Sequence, residues 1–217
     1  MRIAIAGGHG KIALLLEKQL SDAGDESIAL IRNPEHASDV LVAGGIPIQI
    51  DLEAIDAAAL AVDLQGVDAV VFAAGSGPGS PAERKLSVDR DAAILLADAA
   101  EKAGIRRYVL LSSMSADDFD PDSDDAFQVY LKAKSEADAN LRNRSLDWTI
   151  VRPGTLTDDP ATGAVNLALS TGFGSIPRAD VAALLADLLT TGSALRTQFE
   201  AISGEVPMRD AVAALSS

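Results

Sequence analysis

Tyr130 and Lys134 stand four residues apart in Ala126-Phe127-Gln128-Val129-Tyr130-Leu131-Lys132-Ala133-Lys134, a stretch that predicts a helix beginning near Ala126. Residues at that spacing share one helical face. A phenol titrates near pH 10 and exchanges protons poorly at neutral pH, but a neighbouring ammonium favours the phenolate and lowers that value. A serine hydroxyl at an opposing strand end would hold a carbonyl oxygen beside the phenol. Ser113 is the first candidate and Ser112 the second, both following the apolar run Arg107 to Leu111. Tyr130 as a half-buried aromatic and Lys134 as a solvated charge paired with Asp138 would be an ordinary arrangement. The chemistry therefore depends on what else the chain supplies.

At its start the chain supplies Arg2-Ile3-Ala4-Ile5-Ala6-Gly7-Gly8-His9-Gly10-Lys11-Ile12-Ala13. An apolar strand runs into a glycine cluster that opens directly into an amphipathic helix with Ile12, Leu15, Leu16 and Leu20 on one stripe and Glu17 and Lys18 facing out. Gly24 is placed to stop that helix. Glycine suits a sharp turn that must approach a pyrophosphate closely, and the free N–H groups of the helix start then face the anion. Gly7-x-x-Gly10-x-x-Ala13 is a dinucleotide fingerprint with alanine in the helix-packing position. An ordinary tight turn between strand and helix would use the same residues.

The next strand, Ser27 to Ile31, ends in Arg32-Asn33-Pro34. An acid at this place would bind the ribose 2′-hydroxyl of NAD, whereas arginine accommodates the 2′-phosphate of NADP. With Arg32 and Asn33 there and no acid before Glu35, NADP(H) is the expected cofactor. A third strand, Ile46 to Ile50, leads to Asp51-Leu52, where the carboxylate would either meet the adenine or cap the following helix. A fourth, Ala69 to Ala74, leads into the loop Gly75 to Ser80. Ala73, Ala74 and Gly75 are small enough for the backbone to lie against a cofactor.

Helices are expected over Glu35 to Ala43, Ile55 to Leu64 and Pro81 to Ala103, the last closed by Gly104. Alternation with continuous apolar strands predicts an α/β fold, a parallel sheet with helices on both faces. Asp117, Asp118, Asp120, Asp122, Asp124 and Asp125 crowd one loop, read either as solvated helix-capping acids or as a rim over the substrate with Phe119 and Phe127 as apolar contacts. Thr155 to Ser175 shows no clear period. A helix over Asp180 to Thr190, a strand over Thr197 to Ser203 and a helix over Pro207 to Leu215 complete the expectation.

Composition narrows the classes. The chain has 217 residues, 48% of them hydrophobic, which suits a single domain over 1–217. A formal net charge of −14 repels phosphate backbones and anionic lipid, so nucleic-acid and membrane partners are not expected. The first residues lack the pattern of a signal peptide, and no apolar run approaches the roughly 20 residues of a membrane span. Without cysteine and with two histidines, no disulfide, thiol catalysis or metal site is expected, and a cytoplasmic location is the simplest reading. No long amphipathic helix advertises an interface; monomer is the default, with a dimer open.

Together Gly7-Gly8-His9-Gly10, Val70-Val71-Phe72-Ala73-Ala74-Gly75, Tyr108-Val109-Leu110-Leu111-Ser112-Ser113, Trp148-Thr149-Ile150-Val151-Arg152-Pro153-Gly154 and Ile176-Pro177-Arg178-Ala179-Asp180-Val181-Ala182 carry a likeness. In these stretches and their order the chain resembles the atypical short-chain dehydrogenase/reductases, the branch of NmrA-like and biliverdin- and flavin-reductase-like NAD(P)H-binding proteins. Gly8-His9 replaces the usual alanine–threonine, and Ala13 replaces the last glycine. The resemblance implies a Rossmann-type doubly wound sheet with NADP in the crevice, bordered also by Ser112, Pro153 and Gly154. It implies that Ser113, Tyr130 and Lys134 occupy the serine–tyrosine–lysine positions, Lys134 also reaching the nicotinamide ribose. It further implies that residues 155–217 include small elements on the substrate side. The expected activity is NADPH-dependent reduction of a small carbonyl, quinone or flavin-like acceptor. A non-catalytic NADP(H) sensor is the alternative, and a sugar-nucleotide epimerase or dehydratase the third reading.

Overall fold

The computed structural model describes residues 1–77 and 79–215. β1 (Arg2–Ala6) leads through the glycine turn into α1 (Lys11–Asp22), which ends at Gly24 with a φ of +84°. There follow β2 (Glu26–Ile31), a 3₁₀ turn over Pro34–His36, α2 (Ala37–Val42), β3 (Ile46–Gln49), α3 (Ala57–Asp63) and β4 (Ala69–Phe72). Next come α4 (Ala82–Arg84), a π-helical segment (Lys85–Asp91), α5 (Ala92–Ala103), β5 (Arg107–Leu111), α6 (Ala126–Arg142) and β6 (Asp147–Pro153). The remainder is β7 (Thr155–Thr157), β8 (Ala164–Ala168), β9 (Ser175–Pro177), α7 (Arg178–Thr191), β10 (Thr197–Ser203), β11 (Val206–Pro207) and α8 (Met208–Ala214).

The main sheet runs β11-β8-β10-β6-β5-β4-β1-β2-β3, parallel from β3 through β10. This is a Rossmann-type order, with its switch point between β1 and β4. Side chains alternate across the sheet and fill two apolar layers. On one face Ile3, Ile5, Val71, Val109 and Val151 meet Leu16 and Leu20 of α1 and Leu184, Leu185 and Leu188 of α7. On the other Ala4, Val70, Phe72, Leu110 and Ile150 meet Leu60 of α3, Leu96 of α5 and Leu141 of α6. Both layers are buried and almost wholly apolar, and close packing there fixes the strand ends where the connecting loops leave them.

Some expectations are corrected. The run from Pro81 to Ala103 is not one regular α-helix: its π-helical segment carries an extra residue per turn and turns Lys85, Val88 and Asp89 inward. Its local composition suits either helix, which is why periodicity did not separate them. The sheet is not wholly parallel, because β8 runs antiparallel to β10 and β11 antiparallel to β8. Thr155 to Ser175, read as irregular, holds β7, β8 and the start of β9, with β7 and β9 pairing in a separate two-stranded ribbon. β4 stops at Phe72, leaving Ala73 and Ala74 beyond the strand. Within the loop expected over Gly75 to Ser80, Pro78 lies outside the described residues. Among the described residues no helix is long and apolar enough to cross a membrane.

Two faces of α1 are corrected as well: Leu15, expected on the apolar stripe, is exposed, and Glu17, expected to face out, is buried. The Glu17 carboxyl on α1 is fully buried against the turn before β3, where a Cβ on Gly45 would lie 2.8 Å from it, and neither oxygen has a hydrogen-bond partner among the described residues. Burial pushes this acid up to about 8. Unfolded, it ionises near 4.5, so stability falls as pH rises from there to about 8 and the full cost remains above that. Glu17→Gln is therefore expected to be more stable than the parent by about 2 kcal/mol at pH 8.5, with the advantage shrinking toward pH 5. Urea unfolding at both pH values checks this; a difference independent of pH would contradict it.

Candidate functional site

At the switch point the first turn is pressed between two strands. Gly7 takes a φ of +79°, and a Cβ on it would lie 2.5 Å from the Ala74 Cα. A Cβ on Gly8 would lie 2.5 Å from the Ala29 Cβ on β2. No side chain fits at either place, so the turn can sit this deep only with glycine. Gly10 is the N-cap of α1; it offers no side-chain cap, and no acid occupies the first helical turn. The first N–H groups of α1 therefore lack a protein partner within the helix and present a positive end toward solvent.

In front of this turn lies a cavity of about 310 Å³. Gly7, His9 and Gly10 line one side, and Arg32 and Asn33 enter from the end of β2. Asp51 and Leu52 enter from the end of β3, and Ala73, Ala74 and Gly75 from the end of β4. The volume lies at the small end of ligand pockets, about 300–1,000 Å³. An anion-accepting turn, an arginine and apolar walls within one cavity fit the phosphates and adenosine of a dinucleotide. The neighbours of the cavity are partly engaged. Asn33 accepts the Glu35 N–H at 3.1 Å, and Asp51 accepts the Glu53 N–H at 3.0 Å, capping its own turn. Asp56 caps α3 instead. The His9 ring stacks on His36 at 3.6 Å and its Nε2 lies 2.8 Å from Asp39, tying the turn to α2.

Other residues expected at the cofactor do not line this cavity. Gly8 lies behind the turn against β2, and Ile12 points into the core. Lys11 donates to Asp158 at 2.5 Å, and Arg178 donates to the same carboxylate at 2.7 Å, fastening the chain after β7 to the start of α1. The Lys11 ammonium leads the contacts that hold Asp158 below the usual carboxylate range. Pro153 and Gly154 lie where β6 passes into β7: Pro153 accepts the Met114 N–H, and a Cβ on Gly154 would strike the Gly174 carbonyl oxygen. Asp180 at the start of α7 is fully buried and accepts from Thr162 and Gly163, which fixes the loop before β8.

The proton-transfer candidates stand beyond the end of β5. Lys134 is 3% exposed; its Nζ lies 5.9 Å from the Tyr130 ring centroid and 5.5 Å from that of Phe72. It donates to the Leu111 carbonyl at 3.2 Å and pairs with Asp89 of the π-helical segment at 3.4 Å. Burial works against its charge, but Tyr130, Asp89 and Asp138 outweigh it and hold the ammonium above the ordinary lysine range. Asp89 also accepts the Ser76 N–H at 3.2 Å, so one carboxylate joins Lys134 to the loop after β4. Ser113 donates to the Met114 carbonyl, and among the described residues no hydrogen bond joins it to Tyr130. Ser112 turns inward and donates to Asp138 at 2.9 Å. Asp138 pairs with Arg152, and Arg152 reaches Asp117 of the acidic loop at 2.8 Å. Burial pushes Asp138 up despite that arginine. The structure thus brings Tyr130 and Lys134 together, sets Ser113 apart from them by bonding, and uses Ser112 to anchor the network behind.

Sequence reasoning missed Glu53, Arg84 and His36, which also line the cavity. Glu53 follows Asp51-Leu52 by one residue and was within reach of the reading made there; Arg84 enters only because α4 precedes the π-helical turn. Asp89 was hidden by the same irregularity. Breaking a buried ion pair leaves an uncompensated charge, so Asp89→Ala is expected to destabilise the chain by about 3 kcal/mol. Adding Lys134→Met should recover most of that loss. Urea unfolding of both single variants and the double variant checks the coupling; strictly additive losses would contradict it.

Comparison with known proteins agrees with this geometry. A family model described as NAD(P)H-binding matches residues 7–192. The uncharacterized sugar epimerase YhfK of Bacillus subtilis is 32% identical over 213 residues, which cover 98% of this chain and 99% of that protein. A solved structure from Bacillus halodurans, described as a candidate NAD-dependent epimerase/dehydratase, superposes with a TM-score of 0.90 at 34% identity, covering 99% of this chain and 100% of that one. The oxidoreductase ylbE of Lactococcus lactis gives a TM-score of 0.85 at 29% identity, covering 99% and 96%. A glycine turn at the switch point of a Rossmann-type sheet, and a family match across most of the length, lead to one conclusion: the chain belongs to the NAD(P)H-binding family of atypical short-chain dehydrogenase/reductase-like proteins.

Proposed function

We propose that the chain is an NADPH-dependent reductase acting on a small carbonyl, quinone or flavin-like acceptor. The observation that carries the reading is the joint lining of one cavity by the uncapped glycine turn and Arg32. The turn and the start of α1 would hold the diphosphate, and Arg32 with Asn33 would face the 2′-phosphate on the adenosine ribose. Small residues at Ala73, Ala74 and Gly75 would let the cofactor lie against β4. When bound, the nicotinamide supplies the hydride; the protein orients and tunes it.

The chain's own residues would handle the proton. Tyr130 would hold it at its phenolic oxygen and deliver it to the acceptor oxygen. The Lys134 ammonium would favour the phenolate left behind, and Ser113 would donate a hydrogen bond to the acceptor once freed from the Met114 carbonyl. A quinone or flavin acceptor would not need Tyr130 in this role. The engagement of Lys134 by Asp89 and the Leu111 carbonyl supports a second reading, a cofactor-binding sensor without turnover. The name of the B. subtilis relative suggests a sugar epimerase, the class of the third reading. Against it, β8, β10 and β11 extend the main sheet and add little chain for a sugar-binding lobe.

Calorimetric titration with NADPH and NADH tests the cofactor: NADPH is expected to bind in the micromolar range and about tenfold more tightly than NADH. Failure of both at millimolar concentration would contradict the reading and its sensor variant together. For a carbonyl acceptor, Tyr130→Phe is expected to keep NADPH affinity within about twofold while lowering kcat by about 100-fold or more. An undiminished kcat would remove Tyr130 from the mechanism.

A further inference from the structure

Three charged side chains from three elements meet at the adenosine end of the cavity. Arg32 leaves the end of β2, Glu53 the loop after β3, and Arg84 the short helix α4. Arg32 Nη1 donates to Glu53 Oε2 at 3.0 Å, and Arg84 Nη2 donates to the same oxygen at 3.3 Å. The other carboxylate oxygen accepts from Ser87 at 2.6 Å. Two guanidinium groups that share one oxygen are close enough for a single anion to bridge them. Ser87 leads, and the two arginines reinforce, the contacts that hold the Glu53 carboxyl below the usual carboxylate range. Glu53 is therefore an anion at neutral pH, in the place where an anionic ligand would meet the arginines.

We propose that Arg84 is the second arm of the 2′-phosphate site and that Glu53 is its internal occupant, displaced from the arginines when the phosphate arrives. The inference rests on the NADP reading above and names the residues that set its strength. A phosphate monoester offers three terminal oxygens and nearly two charges, so it satisfies both forks better than one carboxylate oxygen does. With Glu53 in place the pair of arginines is half neutralised, and the preference for a 2′-phosphate is correspondingly restrained. Neither NAD nor a 5′-phosphate presents an anion at this end of the site, so both should respond little to Arg84→Gln, and little to Glu53→Gln, which keeps an acceptor oxygen for the ribose 2′-hydroxyl. Arg84 also donates to the Ser76 carbonyl at 3.0 Å, a structural contact that the test must separate from ligand binding.

Isothermal titration with adenosine 2′,5′-bisphosphate and with 5′-AMP makes that separation, using the parent chain, Arg84→Gln and Glu53→Gln. Arg84→Gln is expected to weaken the bisphosphate about tenfold while leaving 5′-AMP within about twofold. Glu53→Gln is expected to strengthen the bisphosphate about fivefold, again sparing 5′-AMP. Equal losses for both probes in Arg84→Gln would assign Arg84 to loop structure and overturn the inference, as would unchanged or weaker bisphosphate binding in Glu53→Gln. If the parent chain prefers the bisphosphate but Arg84→Gln keeps that preference in full, the inference alone fails. If the parent binds the two probes equally, the NADP reading fails with it.

Discussion

The absence of room for any side chain between the first turn and its neighbouring strands governs the rest of the molecule. Gly7 lies against the backbone at Ala74 and Gly8 against Ala29, so β1 can end between β2 and β4 without pushing them apart. That closeness aims the start of α1 at the mouth of the sheet, and the lack of a capping side chain at Gly10 leaves its N–H groups for a ligand. The buried packing of Leu16 and Leu20 beneath keeps the helix from shifting to find other partners. The uncapped, positive start of α1 at this place follows from packing geometry before any charged side chain is considered.

The two ends of the crevice are built by different physics. The end at β2 and β3 is an apolar slot with a rim of Arg32, Arg84 and the Glu53 carboxylate. Beyond β5 the site is held by buried ion pairs, Lys134 with Asp89 and Arg152 with Asp138, and these link α6, β6 and the π-helical segment. Such pairs are costly to bury and are sensitive to the loss of either partner. They join the tyrosine-bearing helix α6 to β6 and to the π-helical segment. They also connect the crevice loop at Ser76 to Lys134 through Asp89.

Much of this architecture was legible because its signals are local. The strand and glycine turn at residues 2–10, the strand that ends before Arg32, and Arg107–Leu111 are announced by apolar runs with clear stops, whereas Thr197–Ser203 alternates, with Phe199 and Ala201 turned inward. The antiparallel placement of β8 and β11 was not legible, since pairing direction is a tertiary outcome that a short strand does not encode. The π-helical register of Lys85–Asp91 was hidden because Lys85-Leu86-Ser87-Val88-Asp89-Arg90-Asp91 holds neither glycine nor proline and so carries no local mark that separates the two helical hydrogen-bonding patterns. Three of the residues with most to say about the site, Asp89, Arg84 and Glu53, gain their meaning only from elements distant in sequence. Ser112 shows the converse: its position was foreseen at the strand end, but which way its hydroxyl turns was decided by the buried Asp138.

The central claim, that the first turn and the opening of α1 grip the diphosphate of a pyridine nucleotide, can be read most directly from backbone amide shifts. Proton–nitrogen spectra recorded as NADP⁺ is added should show the largest changes at the amides of Gly8 to Ala13, saturating together with those at Arg32 and Ala74. Saturable shifts that spare the Gly8 to Ala13 amides, or no saturable shift at any concentration up to millimolar, would contradict it.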